Sequence, residues 1–419
     1  MTHSTTETYQ MKREILNFAK KITECSGQVV KKFTADMLYG IAASESVILS
    51  NVADPLMEET KKINTVDRLS RNLSEGIPEG IVRNYLQEMI KLLPPDPVIF
   101  VDDSDVTKPH GKKFEGLCLV RDGSESNEKA KYKKGYHVAE VTAMTARSRQ
   151  PVSLFSRIYS SKTDDFISAN EVTKQSLEQV IGLTGTESTF VFDRGYDSND
   201  TFLFMYKHER QFVIRLTENR KLLFKGKWYP APVLRDSRKG KIKSEVWFDS
   251  ESKECWISCV NVRITASRKP LKLVLVYGLG ETPMMLATNK PIKSKEDAVD
   301  IVRTYLSRWR IEEYFRAKKQ QYGFEDFRVR SLISINTLNQ FLTYCLGFLG
   351  VLAEKPDWNT LKQAILKKAN AIKEKVLFFY YRISKGVSVL LAHANTGIRD
   401  WLRRPPREKY PQLKMKLPA

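Results

Sequence analysis

The sequence predicts an α/β protein: a mixed sheet with flanking helices, interrupted by a β-rich insertion and joined to helical N- and C-terminal regions. Three observations lead there. Between residues 98 and 216, short apolar runs of strand length give way to alternating helix and strand patterns. From 217 to about 290 the helical periodicity vanishes, and short strand patterns follow one another between turn residues. Helical periodicity returns at "SKEDAVDIVRTYLSRWRIEEYFRAKK" and continues to about residue 398.

Each element has a local reason. Apolar residues recur at helical spacing in "EILNFAKKITECSGQVVKKF" and "GIVRNYLQEMIKLL", and "PPDP" at 94–97 then breaks the chain. "VIFVDDSDV" reads as an apolar strand ending in acids, and "YHVAEVTAMTA" and "PVSLFSRIYS" follow as strands. "SANEVTKQSLEQVIG" is a helix, "STFVFDRGYDSN" a second strand ending in an acid, "DTFLFMYKH" a helix and "QFVIRLT" a strand. The insertion offers "KGKWYPAPV", "KSEVWFD", "ECWISCVNVRIT", "LKLVLVYGL" and "PMMLATN" as strands. Ser294 is placed to cap the helix that follows. The expected regions are therefore 1–95 (helical), 96–216 and 293–355 (the two parts of the α/β domain), 217–292 (the insertion) and 356–419 (helical, with a basic proline-containing tail).

The chain has 419 residues and 42% hydrophobic residues, enough for a large core. Its formal net charge is +20, spread along the sequence, which points to an extended polyanion such as nucleic acid. The five cysteines have neither disulfide nor zinc spacing and read as buried reduced thiols of a cytoplasmic protein. The N-terminus is polar, without the apolar core of a signal peptide. The most apolar run, "FLTYCLGFLGVLA", is short for a bilayer and follows Asn336, Asn339 and Gln340, so it reads as a core helix. No membrane association is expected.

The candidate chemistry lies where acids end strands, because ligand sites of α/β sheets sit beyond strand ends. The first strand offers Asp102, Asp103 and Asp105, the second Asp193 and Asp197. Strand alternation lets only one of Asp102 and Asp103 face a common site. On a continuous helix, with Tyr305 at zero, Arg308, Glu312 and Lys319 fall within about 60° of arc, with Trp309 at the margin. A solvated stripe with an Arg308–Glu312 ion pair explains the charges but leaves Tyr305 and Trp309 unexplained. Phosphodiester cleavage explains all of them. Asp102, Asp193 and Glu312 supply carboxylates for divalent metal. Arg308 and Lys319 hold phosphates, Tyr305 hydrogen-bonds a phosphate, and Trp309 stacks on an unpaired base. His110 and His137 read as polar contacts rather than metal ligands.

At 305, 308, 312 and 319 the sequence reads Y-x2-R-x3-E-x6-K, which resembles the signature of the YREK group of bacterial insertion-sequence DDE transposases. "DRGYD" resembles that family's second-aspartate motif, and "PMMLATN" the strand that closes its inserted β region. The order also agrees, with 91 residues from Asp102 to Asp193 and 119 from Asp193 to Glu312. The first motif departs, since Asp102-Asp103-Ser104 carries Ser where members have Thr. Asp102 is the better match and Asp103 the alternative. The resemblance spans roughly residues 40–355. It implies a ribonuclease-H-like catalytic core, and DNA cleavage at transposon ends followed by strand transfer into target DNA. It also implies two Mg²⁺ ions (Mn²⁺ can substitute), double-stranded DNA as partner and a homodimer in the synaptic complex. "NTVDRLSRNL" (64–73) is the candidate N-terminal DNA contact. A metal-dependent nuclease without strand transfer, or a host-adopted DNA-binding protein, are the alternatives.

Overall fold

Twelve strands among the described residues join one mixed sheet. The structure is a computed structural model describing residues 2–121, 132–248, 251–264, 268–369 and 378–398. The basic tail at 403–419 lies outside these residues.

Five helices come first: α1 (Thr2–Ile22), α2 (Gln28–Ser44), α3 (Leu49–Ala53), α4 (Lys62–Ser74) and α5 (Glu79–Ile90). Then come β1 (Val98–Thr107), β2 (Cys118–Arg121), β3 (Tyr132–Met144) and β4 (Pro151–Tyr159). Next are α6 (Ala169–Ile181), β5 (Thr189–Phe192), α7 (Asn199–Lys207) and β6 (Gln211–Arg215). β1 pairs antiparallel with β3 and parallel with β5, and β5 pairs parallel with β6. With β4 on the far edge of β3, the order β4-β3-β1-β5-β6 is the ribonuclease-H-like arrangement of three antiparallel strands followed by two parallel ones. The parallel crossovers run through α6 and α7, whose N-termini are capped by Ser168 and Ser198. The short edge strand β2 has no counterpart among the sequence expectations.

The insertion holds β7 (Lys221–Phe224), β8 (Lys227–Pro230), α8 (Ala231–Asp236), β9 (Ile242–Phe248), β10 (Glu251–Ile264), β11 (Pro270–Tyr277) and β12 (Met284–Thr288). "KGKWYPAPV" is thus strand only to Pro230, where the proline opens a short helix. β12 returns antiparallel beside β6, so the insertion extends the same sheet edgewise rather than forming a separate layer.

Four more helices precede the end: α9 (Lys295–Leu306), α10 (Trp309–Arg316), α11 (Leu332–Glu354) and α12 (Thr360–Lys368), followed by α13 (Tyr380–Ala392). Ser294 and Asp297 close a capping box at the start of α9. α11, the apolar run, lies buried between β4 and the helices α2, α4 and α13. Its Gly347 and Gly350 permit that approach: a Cβ there would meet the Tyr85 ring at 2.6 Å and Val152 at 2.6 Å. The N- and C-terminal helices therefore pack together around α11. All five cysteines are free; Cys118, Cys255 and Cys345 are buried, whereas Cys25 and Cys259 are exposed, against expectation.

Candidate active site

β1 does not end at its acids. It continues to Thr107, paired with β3 throughout, with Asp102 opposite Glu140 and Asp103 opposite Ala139. Its pairing with β5 stops at Val101 opposite Phe192. From Asp102 onward that edge of β1 is open, so a cleft forms where β1 and β5 part. Alternation turns the two aspartates toward opposite faces of β1, yet both border one cavity of about 350 Å³ together with Asp193 and the start of α6. Ala139, on the Asp103 side, packs with Val172 of α6. Glu140, on the Asp102 side, binds Lys318 from the helices that carry Glu312.

Asp193 follows β5 directly and opens a single 3-10 turn, Arg194–Tyr196. Asp197, the other acid of "DRGYD", is committed elsewhere. Its buried carboxylate accepts from the Thr217 backbone N–H and hydroxyl at 2.8 Å each and from Arg220 Nε at 2.8 Å. It pins the loop after β6.

The Tyr305–Lys319 stretch is not one helix, and the single-face construction is corrected here. α9 ends at Leu306, a turn intervenes, α10 runs Trp309–Arg316, and a π turn follows over Ala317–Gln321. The break nonetheless gathers three of the four signature residues. Tyr305 Oη donates to Asp193 Oδ1 at 3.1 Å. Arg308 Nη1 donates to Asp102 Oδ2 at 3.0 Å, and Nη2 to Glu312 Oε1. One guanidinium therefore bridges the strand acid and the helix acid, with Asp193 near enough to act on it electrostatically.

The charges follow from this packing. Burial pushes the Asp102 carboxyl up to about 7; Arg308 opposes the rise, and Asp103 and Asp193 add to it. Asp103, open to solvent at its outer face, is raised to about 6, again by burial first. Burial works against the charge of Arg308, but Asp102 and Glu312 outweigh it and hold the guanidinium protonated. Burial, reinforced by Asp193, also raises Tyr305, which keeps its hydroxyl a donor. A groove of about 610 Å³ opens beside the cluster, walled by Tyr305, Arg308, Glu312, Trp309 and, from the insertion, Trp247 and Met284.

Residues 93–346 match the family described as Transposase DDE domain, more than half of the chain. The chain belongs to that family. Two solved structures are loosely similar. One is a piggyBac transposase synaptic complex with hairpin DNA, at 11% identity and TM-score 0.46, covering 96% of this chain and 81% of that one. The other is the NurA nuclease from Sulfolobus solfataricus, at 10% identity and TM-score 0.27, covering 58% and 83%. A comparison with curated proteins found no match.

Within this DDE domain, Asp102, Asp193, Tyr305, Arg308 and Glu312 meet in one cluster, and Trp309 lines its groove while stacking under Arg310 at 4.5 Å. Lys319 makes no contact with it among the described residues and lies in the π turn beyond α10. The π turn directs its neighbour Lys318 into the core, against Glu140, Ser156 and Asn339, and leaves Lys319 half-buried. Sequence reasoning missed Arg215, which ends β6 and lines the groove beside Tyr305. Its signal was available, as a charge closing the apolar run "FVI". In the 64–73 segment, Arg68 is turned inward onto Asp36 and Glu58 at 2.8 and 2.6 Å. His137 Nδ1 lies 2.8 Å from Asp105 Oδ1, the polar contact expected.

DDE transposases use divalent metal, and the donor set can be tested for it. Asp103 and Asp193 add negative charge against Asp102, and the Arg308 guanidinium is shared among Asp102, Glu312 and Asp193, so the donors suit a hard cation. Among the described residues no three acid, histidine or cysteine side chains stand in a ready-made metal cage. The reason is visible: Glu312, half exposed, is held by Arg308 rather than turned to the aspartates.

Proposed function

We propose that this chain is the metal-dependent transposase of a bacterial insertion sequence of the YREK group. It cleaves DNA strands at the element's ends and joins them to target DNA, acting as a homodimer. Asp102, Asp193 and Glu312 would hold Mg²⁺, or Mn²⁺ in its place. The observation that carries this reading is the convergence of Asp102, Asp193 and Glu312 on Arg308 and Tyr305, from two strands and a broken helix.

The bound ions would activate the attacking oxygen and neutralise charge on the leaving one. The remaining work belongs to the chain. Arg308 offers its forked donors to a DNA phosphate when it leaves the carboxylates, which frees Glu312 to turn toward the aspartates. Tyr305, kept protonated by burial and by Asp193, transfers its one hydroxyl hydrogen bond from Asp193 to a phosphate oxygen when Asp193 turns to the metal. Trp309 stacks on an unpaired base at the groove wall, and Lys319 reaches a phosphate beyond the cluster. Asp102 must lose its proton before it can act as a ligand, so cleavage rises with pH through about 7. Asp103 borders a cavity of about 350 Å³ with Asp102 and Asp193 and is the alternative first ligand. The helical regions 1–95 and 356–419 contact the element ends and the partner protomer.

Purified protein is given DNA carrying the gene's flanking ends, with Mg²⁺ or Mn²⁺. Cleaved ends joined to target DNA support the reading. Cleavage without joining supports a nuclease instead. Glu312→Ala should abolish cleavage and retain end binding; cleavage by that variant refutes the metal-site assignment.

A further inference from the structure

The end of the sheet away from the acids carries a second feature. β12 runs from Met284, in the groove beside Arg308 and Glu312, to Thr288, which lines another groove of about 560 Å³. Five residues of strand separate the two by roughly 14 Å. This second groove is lined by Lys225, Arg263, Lys272 and Lys290, with Asn261 and Asn289 between them. No carboxylate lines it among the described residues. The cations are steadied by neutral acceptors: Lys290 Nζ donates to Thr189 Oγ1 at 3.0 Å, Arg263 Nη1 to the Arg268 carbonyl at 2.9 Å, and Lys272 to Asn261. Elsewhere on this protein cations commonly meet acids, as Lys243 meets Glu254 and Lys62 meets Asp54.

The backbone adds an independent observation. The β7–β8 hairpin turns on Lys225 and Gly226, both left-handed at φ 49° and 80°. Asparagine or glycine fits that first position at least cost, whereas a lysine there is strained. The chain thus keeps a charge at the groove rim against local preference. Four cations that meet no acid among the described residues share one groove, and a regularly spaced polyanion is the complementary partner.

We propose that this groove binds the phosphodiester backbone of duplex DNA, as a contact separate from the acid cluster and without base readout. The inference rests on the DNA-processing reading above and adds a second face to it. Exposed Lys225 and Arg263, with half-buried Lys272 and Lys290 behind them, suit phosphate oxygens.

The test is the salt dependence of binding by the full-length protein to a long random-sequence duplex, followed by fluorescence anisotropy. Each lost phosphate contact lowers the log–log slope by about 0.9. Lys225→Gln/Arg263→Gln/Lys272→Gln/Lys290→Gln should lose a slope of roughly 2 to 4 and weaken binding more than tenfold at about 0.1 M salt. Lys243→Gln, which removes a cation already paired with Glu254 outside the groove, should keep the wild-type slope. The single charge reversal Arg263→Glu, with unfolding temperature checked against wild type, should weaken binding in the same direction. A quadruple variant with the wild-type slope, on a wild-type protein that binds duplex, overturns the groove and leaves the DNA reading standing. A wild-type protein that binds no duplex overturns both.

Discussion

Asp102 and Glu140 stand opposite each other on neighbouring strands, and each meets a cation from the same broken helix. Two acids placed so repel unless neutralised. Glu140 receives Lys318 at 2.7 Å, inside the core, with Ser156 and Asn339 completing the bonds and both side chains sealed from water. Asp102 receives Arg308 at 3.0 Å, but its carboxylate is 20% exposed and its partner is shared with the half-exposed Glu312. The chemistry is nearly the same and the surroundings are not. The sealed pair has no exit and fixes the helix on the sheet. The open pair faces a groove, shares its cation and can exchange it for other charges.

If the sealed pair is structural, breaking it should give the largest loss of stability. Lys318→Met strands Glu140 in the core and should cost about 3–5 kcal/mol in urea unfolding. Adding Glu140→Gln should return much of that loss, because a neutral pair leaves no buried charge. A single mutant as stable as wild type would dissolve the distinction.

The open pair should behave in the opposite sense. The folded pKa of Asp102, about 7, lies above its ordinary 3.8, so the folded state binds the extra proton between those values. Its contribution is therefore most favourable below about pH 4 and is lost as pH rises to about 7. Asp102→Asn removes that loss and should stabilise the protein by about 2 kcal/mol at pH 8, with little change at pH 4. Thermal unfolding at the two pH values reads this directly.

Arg308→Gln tests what the shared cation does. Without it, only the Asp103 backbone N–H still opposes the effect of burial on Asp102, and the acid limb of the cleavage–pH profile should move up by about one unit. An unmoved limb would mean that Asp102 does not set it. The smallest effect belongs to a site remote from both pairs: Ser294→Ala removes the α9 cap and should cost about 1 kcal/mol without moving the profile.

Much of this was legible in the sequence. Apolar periodicity located the core strands, the two helices between them and the acid-bearing segments. The YREK spacing marked Tyr305, Arg308 and Glu312 before any contact was seen. Three things were not legible, each for a physical reason. That Arg308 meets Asp102 rather than Asp103 depends on which face of β1 meets α10, which only pairing register sets. The break at Leu306–Trp309 and the π turn after Arg316 lie in a sequence with continuous helical pattern, and tertiary packing decides them. The exchange of Lys319 for Lys318 at the sheet follows from that extra residue per turn. The insertion's strands were visible, but not that β12 would extend the catalytic sheet beside β6.

The central claim is that the open acid cluster, on the Asp102 face, carries out the chemistry. The most direct measurement is single-turnover, Mg²⁺-dependent cleavage of the flanking-end DNA by Asp102→Asn and Asp103→Asn, with folding verified for both. The account predicts that Asp102→Asn loses at least about 10²–10³ in rate while remaining folded, and that Asp103→Asn stays within about tenfold of wild type. Cleavage by Asp102→Asn at the wild-type rate, or its abolition by Asp103→Asn alone, would contradict it.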